Sequence, residues 1–178
     1  MNRIILFFSL LFFLQVNAQS SNCKCCTEKH AEFDFWIGSW IVTNPNGELA
    51  GKNEIKKIQD NCILQENWTS AKGKYTGTSS NFYNAQTKQW EQIWLDNQGG
   101  SLHLKGNRIG NKMILQTTES INKDGNPYIH RITWTTNDDG TVRQLWETIT
   151  NDSEAVSYTH LTLPTKESRC RSRWSPYH

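Results

Sequence analysis

The chain has 178 residues, 36% hydrophobic and 20% charged, with a formal charge of +2. Of its 19 basic residues, Arg3, Lys166, Arg169, Arg171 and Arg173 lie before residue 19 or after residue 155, as does Glu167 of its 17 acidic ones. The stretch between therefore holds 14 basic and 16 acidic residues, a charge near −2, which offers no basic surface for nucleic acid and suits one domain with a packed core.

At the N-terminus, Arg3 precedes the apolar run Ile4 to Leu14, and Gln15-Val16-Asn17-Ala18 supplies small residues at a cleavage point. This order predicts a signal peptide over 1–18 and a secreted or periplasmic protein. The run is too short to cross a bilayer, and no later segment reads as a membrane span. Residues 19–32 carry Cys23, Cys25 and Cys26, and Cys62 follows. An oxidising compartment permits disulfides, and Cys62 is expected to pair with one of the three, with Cys26–Cys62 as the favoured bond. No metal is expected, because the cluster lacks the paired C-x-x-C spacing of a zinc site.

Glu28 to Phe35 has room for a helical turn or two. From there the chain is a series of short β-like runs: Trp40–Thr43, Glu54–Gln59, Cys62–Thr69, Lys74–Tyr83, Trp90–Leu95, Ser101–Lys105, Met113–Glu119, Tyr128–Thr136 and Thr141–Thr150. Turn residues such as Asn44-Pro45-Asn46-Gly47 and Asp138-Asp139-Gly140 punctuate them. About nine strands with short connections predict an all-β, antiparallel up-and-down barrel over 33–155.

Side chains on a strand switch face at each residue. Cys62, Leu64, Glu66 and Trp68 therefore point together, as do Trp90, Gln92, Trp94 and Asp96. The same holds for His130, Ile132 and Trp134, and for Gln144, Trp146 and Thr148. One face thus mixes large rings with isolated polar groups. Unpartnered buried polar groups cost about 1–3 kcal/mol each, so a dry core avoids that mixture and a ligand-lined interior uses it.

Phe33-Asp34-Phe35-Trp36-Ile37-Gly38-Ser39-Trp40 carries a G-x-W that resembles the lipocalin and wider calycin signature. The longer pattern is similar to a family of secreted bacterial proteins opening with F-D-F-W-x-G-x-W, for which no activity is established. Leu64 to Trp68, Trp90 to Asp96 and Val142 to Glu147 share its style. The resemblance implies a lipocalin-like barrel, related in shape to nitrobindin, in which Gly38 allows a close approach and Trp40 plugs one end. It also makes His130 an alternative axial haem ligand, although no nitrobindin haem motif is present and no cofactor is expected.

Residues 156–178 depart from that pattern. Val156 to Thr165 and Cys170 to His178 resemble the translated ends of a sequencing library, so this tail reads as non-native and the closing strand as missing. An open seam exposes unpaired strand edges. The polypeptide as written is therefore expected to aggregate; a soluble monomer with a cooperative melt would contradict this.

The functional expectation is an exported protein binding a small apolar or aromatic molecule, with Glu66, Trp68, Gln92, Trp94, His130, Gln144 and Trp146 lining the pocket. Two alternatives stand beside it. One is an enzyme using Glu66, with Asp96 or Glu147, as acid or base, although no G-x-S-x-G or H-E-x-x-H is present. The other is a filled barrel with a structural role. Glu66 is expected to pair with Arg131 or Arg143 if buried.

Overall fold

The computed structural model describes residues 23–150 and the backbone of 156–163. The signal peptide expected at 1–18 and residues 164–178 of the tail expected to be non-native lie outside the described residues. A short helix α1 (Glu28–Ala31) and a 3-10 turn (Asp34–Trp36) precede the strands, where the sequence allowed a helical turn or two. The strands are β1 (Gly38–Thr43), β2 (Leu49–Ile58), β3 (Ile63–Ser70), β4 (Thr76–Asn84), β5 (Gln89–Asp96), β6 (Ser101–Ile109), β7 (Lys112–Gln116), β8 (Ser120–Ile121), β9 (Pro127–Thr136), β10 (Val142–Thr150) and β11 (Val156–Leu163).

All belong to one antiparallel sheet, ordered β10-β11-β1-β2-β3-β4-β5-β6-β7-β9-β8, with β10 also paired to β9. This is an up-and-down, lipocalin-like barrel wall, and each of the nine expected runs falls on one of its strands. Two strands were not expected. The two-residue β8 is too short to show alternation. The tail segment 156–163 forms β11, registered along β10 from Val142↔Leu163 to Thr148↔Val156. Its Val156, Tyr158, Thr159 and Thr162 are residues that favour strands. The wall is nevertheless not sealed, since β11 meets β1 at one registered pair, Thr43↔Thr162, whereas β1 and β2 share six.

The N-terminal turn closes one end of the barrel. Phe33 and Trp36 are fully buried and stacked at 4.9 Å, and Phe33 sets its edge against Trp90 at 5.7 Å and Trp134 at 5.2 Å. Trp40 is buried and donates its indole N–H to the Trp36 carbonyl at 2.8 Å. Gly38 stands between them at φ 145°, a conformation that side-chain-bearing residues rarely adopt. Lys57 reaches Asp34 at 2.8 Å, and Trp90 Nε1 donates to Glu32 at 3.2 Å. These bonds tie the plug to β2 and β5. Among the described residues, no helix is long and apolar enough to cross a membrane.

The disulfides correct the expected pairing. Cys62 bonds Cys25, not Cys26, and Cys26 bonds Cys23. The tight turn in which Cys26 N–H donates to the Cys23 carbonyl at 3.2 Å brings those two sulfurs together. Buried Cys25 is then left facing the β2–β3 turn that carries Cys62. The Cys25–Cys62 bond closes a loop of separation 37 and Cys23–Cys26 one of 3. In chain-entropy terms the longer loop contributes about 4 kcal/mol. Replacing both Cys25 and Cys62 by Ser is expected to lower the thermal midpoint by about 10 °C or more, and the Cys23→Ser, Cys26→Ser pair by less than half as much. Equal shifts in thermal melts of the two double variants would contradict this.

Candidate functional site

The strands alternate between an inner and an outer face, and the inner face divides by depth. Near the plug it is apolar: Ile55, Leu64, Leu104, Met113, Leu115 and Trp134 are all buried. Beyond that layer the interior is not filled. A cavity of about 260 Å³ lies there, just under the roughly 300–1,000 Å³ usual for ligand pockets. Its walls are Trp68 on β3, Trp94 on β5, Trp134 and Ile132 on β9, and Trp146 on β10, with Val42, Ala50, Leu102 and Tyr75 between them. Its polar lining consists of Asn44, Asn53, Glu66, Ser70, Gln92 and Gln144.

Glu66 is 5% exposed. Cross-strand register explains its neighbours. Ser79 stands directly opposite Glu66, Asn81 follows Ser79 on the same face of β4, and Gln92 stands opposite Asn81. A directional chain results. Gln92 Nε2 donates to Asn81 Oδ1 at 2.8 Å, Asn81 Nδ2 to Ser79 Oγ at 2.8 Å, and Ser79 Oγ to Glu66 Oε2 at 2.6 Å. From β2, Asn53 Nδ2 donates to Glu66 Oε1 at 2.7 Å. Every donor in the chain is aimed toward the carboxylate.

Among the described residues, no cationic side chain joins this network. The expected ion pair of Glu66 with Arg131 or Arg143 is not what holds the carboxylate, because Arg131 Nε bonds Glu147 at 2.9 Å instead. Alternation is the reason: Arg131 and Glu147 are registered opposite each other on the face away from Ile132 and Trp146. Burial pushes the Glu66 carboxyl above its ordinary range, and the hydrogen bonds from Ser79 and Asn53 pull only part of the way back.

Two lining atoms are buried without a hydrogen-bond partner: the acceptor Asn53 Oδ1 and the donor Trp134 Nε1. Two of the wall indoles lie across glycines on the neighbouring strand. A Cβ on Gly77 would run into the ring of Trp94, and one on Gly51 would meet the ring of Trp68.

Six of the seven expected lining residues are thus brought together: Glu66, Trp68, Gln92, Trp94, Gln144 and Trp146. His130 is not among them. It shares the inner face, but its Nδ1 accepts from Trp146 Nε1 at 3.3 Å and lies 3.1 Å from Thr148 Oγ1, with Tyr128 and Trp146 edge-on to its ring. Desolvation lowers its pKa. It braces Trp146 from behind the cavity wall, a position that gives a haem-ligand role no support from the cavity. The expected lining omits Trp134, Asn53 and Tyr75. Trp134 was legible from its shared face with Ile132. Asn53 was not, because its place depends on the β2–β3 register.

The raised Glu66 pKa has a definite sign. The folded protein holds the proton more tightly than the unfolded chain, so Glu66 favours folding below the unfolded value near 4.5, and this contribution is lost as pH rises through the folded value. Relative to Glu66→Gln, the wild type should therefore lose thermal stability as pH rises from about 5 to about 8. A difference in melting temperature that stays flat with pH, or that grows in favour of the wild type, would contradict this.

No protein-family model and no curated protein matches this chain.

Proposed function

We propose that this protein is an exported β-barrel carrier or sensor that binds a small apolar or aromatic molecule inside the barrel. One observation supports this above the others: a cavity of about 260 Å³ whose wall is four indoles and whose inner surface presents a hydrogen-bonded Glu66. Flat aromatic walls contribute large apolar contact area at low conformational cost, and a few fixed polar groups orient the guest. The size favours a guest of one or two rings over a long lipid chain. Two disulfides agree with the leader in suggesting an oxidising, extracytoplasmic compartment. The resemblance to lipocalin-like proteins agrees with the same reading.

The enzyme alternative finds less support. Of the carboxylates nominated beside Glu66, Glu147 is engaged by Arg131. Asp96 accepts from Tyr75 at 3.2 Å and is held ionised by the backbone N–H groups of Gly100 and Gln98. Glu66 is the one carboxylate among the described residues lining the cavity.

Indole is a suitable first probe. Titrated into the oxidised protein and followed by calorimetry, it is expected to saturate one site. Gly77→Ala, whose Cβ would overlap the Trp94 ring where it now lies and so must displace this wall residue, is expected to weaken binding by roughly tenfold or more, the ~1.4 kcal/mol of about two lost methylene-sized contacts. Absence of saturable binding, or equal affinity in a folded Gly77→Ala protein, would overturn the proposal.

A further inference from the structure

A buried carboxylate inside a ligand cavity ordinarily has a counter-charge, and here the described protein residues supply none. Among those that line the cavity there is no Lys, Arg or His. Both Glu66 oxygens accept one neutral hydrogen bond each, from Asn53 and Ser79. A carboxylate offers about four lone-pair positions, so capacity remains on each oxygen. Asn53 Oδ1, buried in the same lining, is a second acceptor without a donor. The polar part of the cavity is thus rich in acceptors and negative in character.

The surrounding groups reinforce that sign. Of the other titratable side chains, Tyr75 lines the cavity and donates to Asp96 at 3.2 Å, while His130 stands behind Trp146. Tyr75 is neutral and Asp96 negative near neutral pH. Four indoles, Trp68, Trp94, Trp134 and Trp146, line the cavity, and indole is the best aromatic partner for a cation.

We infer that the guest is an aromatic amine, bound as its ammonium, with the charge held between Glu66 and the tryptophan faces and the amine N–H groups donating to Glu66 and Asn53. This deepens the ligand-binding reading and rests on it. The alternatives fit the lining less well. A carboxylic acid would place a second negative charge beside Glu66. A neutral hydrocarbon would leave the open acceptor positions of Glu66 and Asn53 without a donor. An ammonium supplies the missing charge and up to three donors, and the indole walls add cation–π attraction once water is displaced.

Three probes of nearly equal shape test this: tryptamine, 3-ethylindole and indole-3-acetate, titrated by calorimetry into the oxidised full chain near neutral pH. Tryptamine is expected to bind roughly tenfold or more tighter than 3-ethylindole, and indole-3-acetate weakest. In Glu66→Gln that preference should collapse to within about twofold while 3-ethylindole affinity is kept. If this variant does not fold, the wild type carries the test alone. Tryptamine affinity should fall steadily on acidification as Glu66 takes up a proton, while 3-ethylindole affinity stays flat. Equal binding of tryptamine and 3-ethylindole, a preference that survives Glu66→Gln, or a flat tryptamine profile would overturn the inference and leave the apolar-guest reading standing. Failure of all three probes to bind would remove both.

Discussion

The interior of this barrel is organised around one carboxylate, Glu66, that has hydrogen bonds but, among the described residues, no counter-charge. Glu66 is 5% exposed, and the residues around it answer the cost of that burial. Ser79 and Asn53 donate directly; Asn81 and Gln92 line up behind Ser79 so that each dipole supports the next. Neutral donors offset part of the desolvation penalty and leave the carboxyl inclined to hold its proton. A well-packed apolar side chain at this position would cost less. Retaining the acid therefore sacrifices stability to a group that faces a cavity, which is the pattern of a binding site more than of a core.

The plug makes that arrangement affordable in structural terms. Phe33, Trp36 and Trp40 fill one end of the barrel, and Ile55, Leu64, Leu104, Met113 and Leu115 form a dry layer above them. Cys25–Cys62, Lys57–Asp34 and Trp90–Glu32 fasten the plug to the wall. Stability is concentrated at this end, so the other end can keep space open. There the indoles of Trp68 and Trp94 lie across Gly51 and Gly77. The two glycines let large rings flatten against the sheet and leave the middle of the barrel unfilled.

Much of this was legible because strand alternation survives in the sequence. The period-two sets Glu66/Trp68, Gln92/Trp94 and Gln144/Trp146 each share a face whatever the partner strand, and each does line one cavity. What alternation cannot give is depth along the barrel. His130 shares its face with Ile132 and Trp134, yet it stands behind Trp146 instead of in the lining. Asn53, Ser79 and Asn81 lie in polar stretches that read as surface, and only the β2–β3 and β3–β4 registers bring them to Glu66. The disulfide pairing was likewise beyond the sequence, because three cysteines within four residues differ only in which way a single turn points them. The strand over 156–163 shows a different limit: a segment of sufficient β-propensity can occupy a free edge whatever its origin.

The charge state of Glu66 carries the central claim, and it can be read directly. Carbon-13 labelling of glutamate carboxyls, with the Glu66 resonance assigned by its loss in Glu66→Gln, gives that group's own titration in the folded protein. A midpoint above the ordinary 4.5 is the result expected for a buried carboxyl without a cationic partner. A midpoint at or below that value would mean that a positive charge or solvent reaches Glu66, contradicting the interior described above.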